Sequence, residues 1–123
     1  LRVQHWEVRV LVEETHGEVV VLVPEGRLVM GGPAEEFEKR VQDLFAEGKR
    51  AVITDLHRVT QVDSTGIRGF VRGHTTAQKV KGRFALCEQQ YSVQLVLEIT
   101  RLNTLLEMHP SLQDAIESMP GGK

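Results

Sequence analysis

Ala51-Val52-Ile53-Thr54-Asp55-Leu56, followed after a short loop by Val62-Asp63-Ser64-Thr65-Gly66-Ile67, decides how this chain is read. The first segment is short, apolar and bounded by Lys49-Arg50 and His57-Arg58, the pattern of a strand covered on both faces of a sheet. Asp63-Ser64 then opens a helix. As the expected N-cap, Ser64 accepts a bond from a backbone N–H two or three residues on, and the unpaired amides of the first turn favour an added anion. The same hydroxyl therefore reads both as an ordinary cap and as a place where a phosphate is tolerated.

On the N-terminal side, Val8-Arg9-Val10-Leu11-Val12 and Val19-Val20-Val21-Leu22-Val23 are rich in β-branched residues and flank Glu13 to Glu18, which contains Gly17. They predict a hairpin. Pro24 closes the second strand, and Gly26 frees the backbone ahead of Leu28 and the Gly31-Gly32-Pro33 corner. A helix follows: Pro33 suits its first position, Glu35 and Glu36 suit its positive end, and Phe37, Val41, Leu44 and Phe45 recur with helical spacing up to a stop at Gly48.

Beyond Ser64 the predicted apolar stripe is Ile67, Phe70, Val71 and His74, with Gly82 at the helix end. Gly69 and Gly73 lie inside this helix, which implies close approach either of a partner or of the chain's own sheet. Phe84 to Cys87 is the next strand. Ser92 is placed to cap a helix carrying Leu95, Val96, Ile99 and Leu102, Leu105 to Met108 supplies an edge strand, and Ser111 caps a last helix through Leu112, Ala115 and Ile116. Residues 119–123 read as a frayed tail. The order of elements predicts an α/β fold with a mixed β-sheet and helices mainly on one face.

At 123 residues the chain suits one domain, with a core over about 6–118. It opens on Leu1 rather than Met, which implies that a residue or longer segment has been lost. A net charge of -2 and an aromatic content of 5% argue against direct nucleic-acid binding. The single cysteine, Cys87, cannot form an internal disulfide, fits a reducing compartment and reads as a buried strand residue. No apolar run is long enough to cross a bilayer and no signal peptide is legible, so a soluble cytoplasmic protein without membrane insertion is expected.

Catalytic signatures are missing. Val62 stands where a Gly-x-Ser-x-Gly elbow requires glycine, and none of the five histidines sits in a recognisable arrangement with Ser64. Metal-ligand spacings and the phosphate-cradling loop of NTPases are absent as well. The chain is thus expected to be no enzyme, to carry no metal and no cofactor, and to depend on a partner for ATP chemistry. Lys79, Lys81 and Arg83 form a small basic patch that suits a helix C-terminus.

The order apolar strand, Asp55-Leu56, Val59, Val62-Asp63-Ser64-Thr65-Gly66-Ile67, then an amphipathic helix resembles the STAS domain of anti-sigma factor antagonists, over roughly residues 6–118. Val29 departs from the acidic residue common at its position. The resemblance implies a STAS-like fold and a phosphoprotein that regulates transcription by partner switching, often in a stress response. Unphosphorylated, it would bind a kinase-type anti-sigma factor; phosphorylation at Ser64, or less favourably Thr65, would release it, and a phosphatase would reset it. The contact surface would include Asp63, Ser64, Thr65, Arg68, Arg72, Gly26 and Arg27, although Arg68 and Arg72 equally suit a solvated helix face. Two alternatives share the resemblance: a stressosome scaffold subunit, which forms a homo-oligomer or larger assembly, and the accessory subunit of a lipid-transport ABC system. A hydrolase using Ser64 as nucleophile is the rival from another class.

Overall fold

The computed structural model describes residues 11–122. The expected strand positions Val8, Arg9 and Val10 lie outside them. Strand β1 (Leu11–His16) turns through Gly17 into β2 (Val19–Pro24), and the two pair antiparallel. Glu13 and Glu14, expected in the loop, belong to the strand, because Gly17 at φ 66° allows the reversal within two residues.

The remaining elements are β3 (Gly26–Leu28), α1 (Pro33–Ala46), β4 (Ala51–Asp55), β5 (Val59–Val62), α2 (Ser64–Lys79), β6 (Arg83–Cys87), α3 (Tyr91–Ile99), a 3-10 turn (Leu102–Thr104), β7 (Glu107–His109) and α4 (Leu112–Glu117). The main sheet has the order β1-β2-β4-β6-β7, with every pair after the first parallel. Its mixed character follows from the connections: a two-residue turn can join only antiparallel neighbours, whereas parallel neighbours need a crossover. Strands β3 and β5 form a separate parallel pair that leads into α1 and α2.

Alternation along β2 and β4 sends side chains to two cores. On one face Val20, Leu22, Val52 and Leu86 meet Phe37, Val41 and Leu44 of α1, Phe70 of α2, and Val93 and Leu97 of α3. Phe37 and Phe70 meet edge to face, with ring centroids 5.7 Å apart, and each fully buried side chain of this size contributes about 1.5–3 kcal/mol. On the other face Val19, Val21, Ile53, Ala85 and Cys87 pack with Ala115 and Ile116 of α4 and with Met119. Three helices on one face and one short helix on the other agree with the expected α/β architecture.

Several expectations change. The buried residues of α3 are Val93 and Leu97, while Leu95 and Ile99 are exposed, because β5 and the sheet contact the opposite side of the helix. Ser92 lies inside the first turn and donates to Thr60 O at 3.2 Å; Gln90 is the N-cap. The buried stripe of α2 centres on Gly66, Gly69, Phe70, Gly73 and Ala77, with His74 only half-buried. A Cβ on Gly69 would meet the Phe37 ring at 3.2 Å, and one on Gly73 the Phe84 ring at 3.0 Å. Internal packing thus accounts for both glycines. The expected frayed tail is docked instead: Met119 is buried, and Gly121 O accepts from Glu18 N at 2.9 Å.

Buried Cys87 is chemically quiet. Burial, reinforced by the nearby Asp55 and Glu88 charges, pushes its thiol up to about 12, so the thiolate needed for reaction is scarce at neutral pH.

The C-terminal elements are tied together by Glu107. It accepts from the guanidinium of Arg83, with Nε at 3.1 Å and a second bond from NH2, and lies 2.7 Å from His109 Nε2. Arg83 also donates to Ser118 O at 2.7 Å. Although burial opposes ionisation of Glu107, the hydrogen bonds from Arg83 and His109 outweigh it and hold the carboxyl below its ordinary 4.5. A depressed folded-state pKa contributes stability that is present above the unfolded value and lost as pH falls through the folded one. Melting temperature is therefore expected to drop below about pH 4.5, and Glu107→Gln to flatten that part of the profile. An unchanged profile in the variant would assign the acid sensitivity elsewhere.

Candidate functional site: the Asp63–Ser64 junction

β5 delivers Asp63 to the start of α2, and Asp63, not Ser64, is the N-cap: its Oδ1 accepts from Thr65 N at 2.9 Å and Gly66 N at 3.1 Å. Aspartate wins because its backbone is extended (φ -109°, ψ -170°), as a cap requires, while Ser64 is already the first helical residue. The second carboxylate oxygen accepts from Met30 N at 2.9 Å, which ties the β3–α1 loop to the helix. The bonds from Met30, Gly66 and Thr65 hold the Asp63 carboxyl below the ordinary range. It is an ionised structural anchor at neutral pH and no proton acceptor for Ser64.

Ser64 is exposed, and among the described residues its hydroxyl has no hydrogen-bond partner. Thr65 is half-buried behind it. Two first-turn amides expected to favour an anion are thus already taken by Asp63, and a phosphate on Ser64 would sit outside them, next to a carboxylate.

Gly66 allows this junction to close. A Cβ there would lie 2.4 Å from Leu28 O and 2.5 Å from Val62 Cγ1. The glycine thus brings α2 against the β3–β5 pair, in which Leu28 lies opposite Val62 and Arg27 opposite Gln61. Arg27 is exposed and donates from Nε to Gln61 Oε1 at 3.1 Å. Gly26, at φ 90°, donates to Arg58 O at 2.8 Å. Both therefore belong to the small sheet that carries Asp63.

Ser64, Arg68 and Arg72 recur every fourth residue along α2 and share a face. The two arginines converge on Glu38 of α1, with Arg68 Nε 3.3 Å from Oε1 and Arg72 NH1 2.7 Å from Oε2. Glu38 is buried, whereas both arginine side chains are more than half exposed. Their heads brace α1 against α2, so the simple solvated face is corrected to an ion-paired one whose outer surface still reaches solvent.

Met30 and Glu38 complete the region and were not picked out by the sequence reading, together with Glu35, which was read only as an acid suited to the helix N-terminus. Met30 is 69% exposed although apolar, and Glu35 accepts from the amides of Gly32 and Gly31 at 2.9 and 3.2 Å. An exposed methionine directly before Gly31-Gly32-Pro33 is the one signal visible in the sequence. The role of Glu38 depends on two arginines about thirty residues away and leaves no local trace.

No histidine among the described residues hydrogen-bonds Ser64. His57 Nδ1 is 2.8 Å from buried Asp55, and His57 Nε2 accepts from Arg58 at 3.2 Å. His109 contacts both Glu107 and Ser118 through the same nitrogen, whereas a catalytic triad uses both. Among the described residues no group of His, Cys, Asp and Glu could hold a metal ion, and no helix is long and apolar enough to cross a membrane.

The junction thus presents an exposed serine at a braced helix start, and no histidine among the described residues is bonded to it. The chain belongs to the STAS domain family, whose profile matches residues 11–115, and this is a non-enzymatic family. It is 30% identical over 105 residues to a Thermotoga neapolitana protein described as a candidate anti-sigma factor antagonist, a homologue of TM1081, covering 85% of this chain and 92% of that protein. Its fold is similar to the crystal structure of the Thermotoga maritima protein TM1081, with TM-score 0.83, 24% identity, and 93% and 97% of the two chains covered. An anti-sigma factor antagonist from Mycobacterium paratuberculosis is also similar, with TM-score 0.78, 22% identity, and 88% and 91% covered.

Proposed function

We propose that this chain is an anti-sigma factor antagonist that works by partner switching. Unmodified, it binds a kinase-type anti-sigma factor through the Asp63–Ser64–Thr65 junction, the outer side of Arg68 and Arg72, exposed Met30 and the neighbouring Gly26-Arg27 strand. The partner's kinase activity places a phosphoryl group on Ser64, the complex separates, and a phosphatase restores the binding form.

The observation that carries this reading is the state of Ser64: exposed, its hydroxyl without a hydrogen-bond partner among the described residues, and mounted on a junction where Asp63 already takes the Thr65, Gly66 and Met30 amides. A hydroxyl in that position is open to an incoming kinase, and its modification leaves the fold's own bonds in place. Phosphorylation adds about -1.5 to -2 charges beside the Asp63 carboxylate, and a surface packed on a neutral hydroxyl would have to desolvate them.

The test is a phosphopeptide map after incubation of the chain with Mg-ATP and lysate of its own host, with Ser64→Ala as control. A phosphate on Ser64 that disappears in the control is the expected result. An unmodified chain, in a lysate that phosphorylates other proteins, would count against the switch.

A further inference from the structure

The far end of the sheet carries a feature that the Ser64 junction does not use. A cavity of about 460 Å³ opens where β4 and β6 begin, and its walls include Glu18, Lys49, Arg50, Lys81, Gly82 and Arg83. Four cations and one acid face it in a chain whose net charge is -2. Arg83 is neutralised by Glu107, outside the cavity. Arg50 spends its bonds on uncharged carbonyls, Phe45 O at 3.3 Å and Lys49 O at 2.9 Å, which orient the guanidinium and leave its charge uncompensated. Lys49 and Lys81 are exposed, and their ammonium groups hold no hydrogen bond or ion pair among the described residues; Lys49 is felt at longer range by Glu13, whose carboxylate is already paired with Arg40.

Two backbone features gather these charges. Gly82 packs so closely on the neighbouring strand start that a Cβ would lie 2.7 Å from Arg50 O, which brings Lys81 and Arg50 to one mouth. Lys81 adopts φ 60°, a left-handed conformation that glycine takes without strain and lysine does not. The helix ends account for part of the charge, since cations complement the C-termini of α1 and α2. They do not account for a lysine held at a position that favours glycine.

We propose that this cavity binds a small oligophosphate anion, such as pyrophosphate or the phosphate tail of a nucleotide. Three uncompensated cations against Glu18 leave about two positive charges to match, more than a monocarboxylate neutralises. Flexible ammonium groups suit phosphate oxygens as adaptable point charges, and Arg50 supplies a fixed fork. Ser64 lies at the other end of α2, about 24 Å away at 1.5 Å per residue, so this site stands independently of the phosphorylation switch.

The experiment is an NMR titration of the chain with sodium pyrophosphate at constant ionic strength, which removes general screening. Saturable shifts of the Gly48, Lys49, Lys81 and Gly82 amides are expected, with affinity at least about tenfold weaker in Lys49→Gln. Lys81→Gly gives a separate readout: relief of the left-handed strain should raise the melting temperature while binding weakens. Tighter binding of ATP than of tripolyphosphate would identify a nucleotide, and equal affinity would identify an oligophosphate reader; either supports the site. Linear shifts, unchanged affinity in both variants, or equally tight binding of sulfate would overturn it.

Discussion

Ser64→Asp is expected to weaken capture of the anti-sigma partner by roughly 30- to 150-fold, about 2–3 kcal/mol, while Ser64→Ala binds like the parent. The loss follows from where the new charge falls. Ser64 is the first residue of α2, and the amides that could stabilise a carboxylate there, those of Thr65 and Gly66, are already bonded to Asp63. The cation one turn on, Arg68, is engaged by Glu38. An aspartate at position 64 thus meets Asp63 on one side and, in the complex, a surface fitted to a small neutral hydroxyl. In the free chain it points into water at a helix N-terminus, where acidic residues are mildly favourable, so the melting temperature should hardly move. Calorimetric titration with the isolated partner, beside a thermal melt, separates the two effects. Equal affinity of the Asp and Ala variants would remove the electrostatic basis of the switch, and a large fall in melting temperature would reduce it to a folding defect.

Gly66→Ala is expected to destabilise the fold by about 2–4 kcal/mol, a fall of about 10 °C in melting temperature. Its sign opposes the usual one, because Gly to Ala within a helix ordinarily gains about 1 kcal/mol. Here the added methyl would lie 2.4 Å from a backbone carbonyl, Leu28 O, and 2.5 Å from Val62 Cγ1. The carbonyl belongs to a paired strand and cannot swing aside as a side chain can. Relief would have to come from parting α2 from the β3–β5 pair, which would pull on the Met30–Asp63 bond and loosen the candidate binding surface. Gly69→Ala is the contrast, since its new methyl would meet only the edge of the Phe37 ring at 3.2 Å, and its cost should be clearly smaller. A thermal melt in which Gly66→Ala is as stable as the parent would refute the close-approach account.

Short-range chemistry made much of the architecture legible. The run Ala51–Leu56 is buried throughout and its first five residues form β4, α1 starts at Pro33 and buries Phe37, Val41, Leu44 and Phe45, and Ser111 caps α4 through Asp114 N at 3.1 Å. Each follows from side-chain periodicity or from a cap whose partner lies within a turn. The resemblance to the STAS domain rested on the same kind of information, a strand and a helix start separated by a few residues.

The site was less legible for a definite reason. Asp63 rather than Ser64 caps α2, and its second oxygen reaches Met30 N, 33 residues earlier in the chain, a contact that no local pattern shows. Arg68 and Arg72 face a buried carboxylate 30 and 34 positions earlier in the chain, so their spacing alone left open whether they were bare. In α3, Leu95 and Val93 are equally apolar, and only the location of β5 and the sheet decides that Val93 is buried. Residues 119–122 look like a tail until Met119 finds the second sheet face. Local chemistry was enough to place the main-sheet strands, the helices, their order and the hydroxyl after Asp63, since these depend on neighbours within a few residues; it did not show β3 and β5, which exist as strands only because they pair with each other across more than thirty residues. Only the tertiary structure decided which carboxylate caps, which glycine is crowded and which cations remain uncompensated, because each is settled by groups that folding brings together from distant parts of the chain.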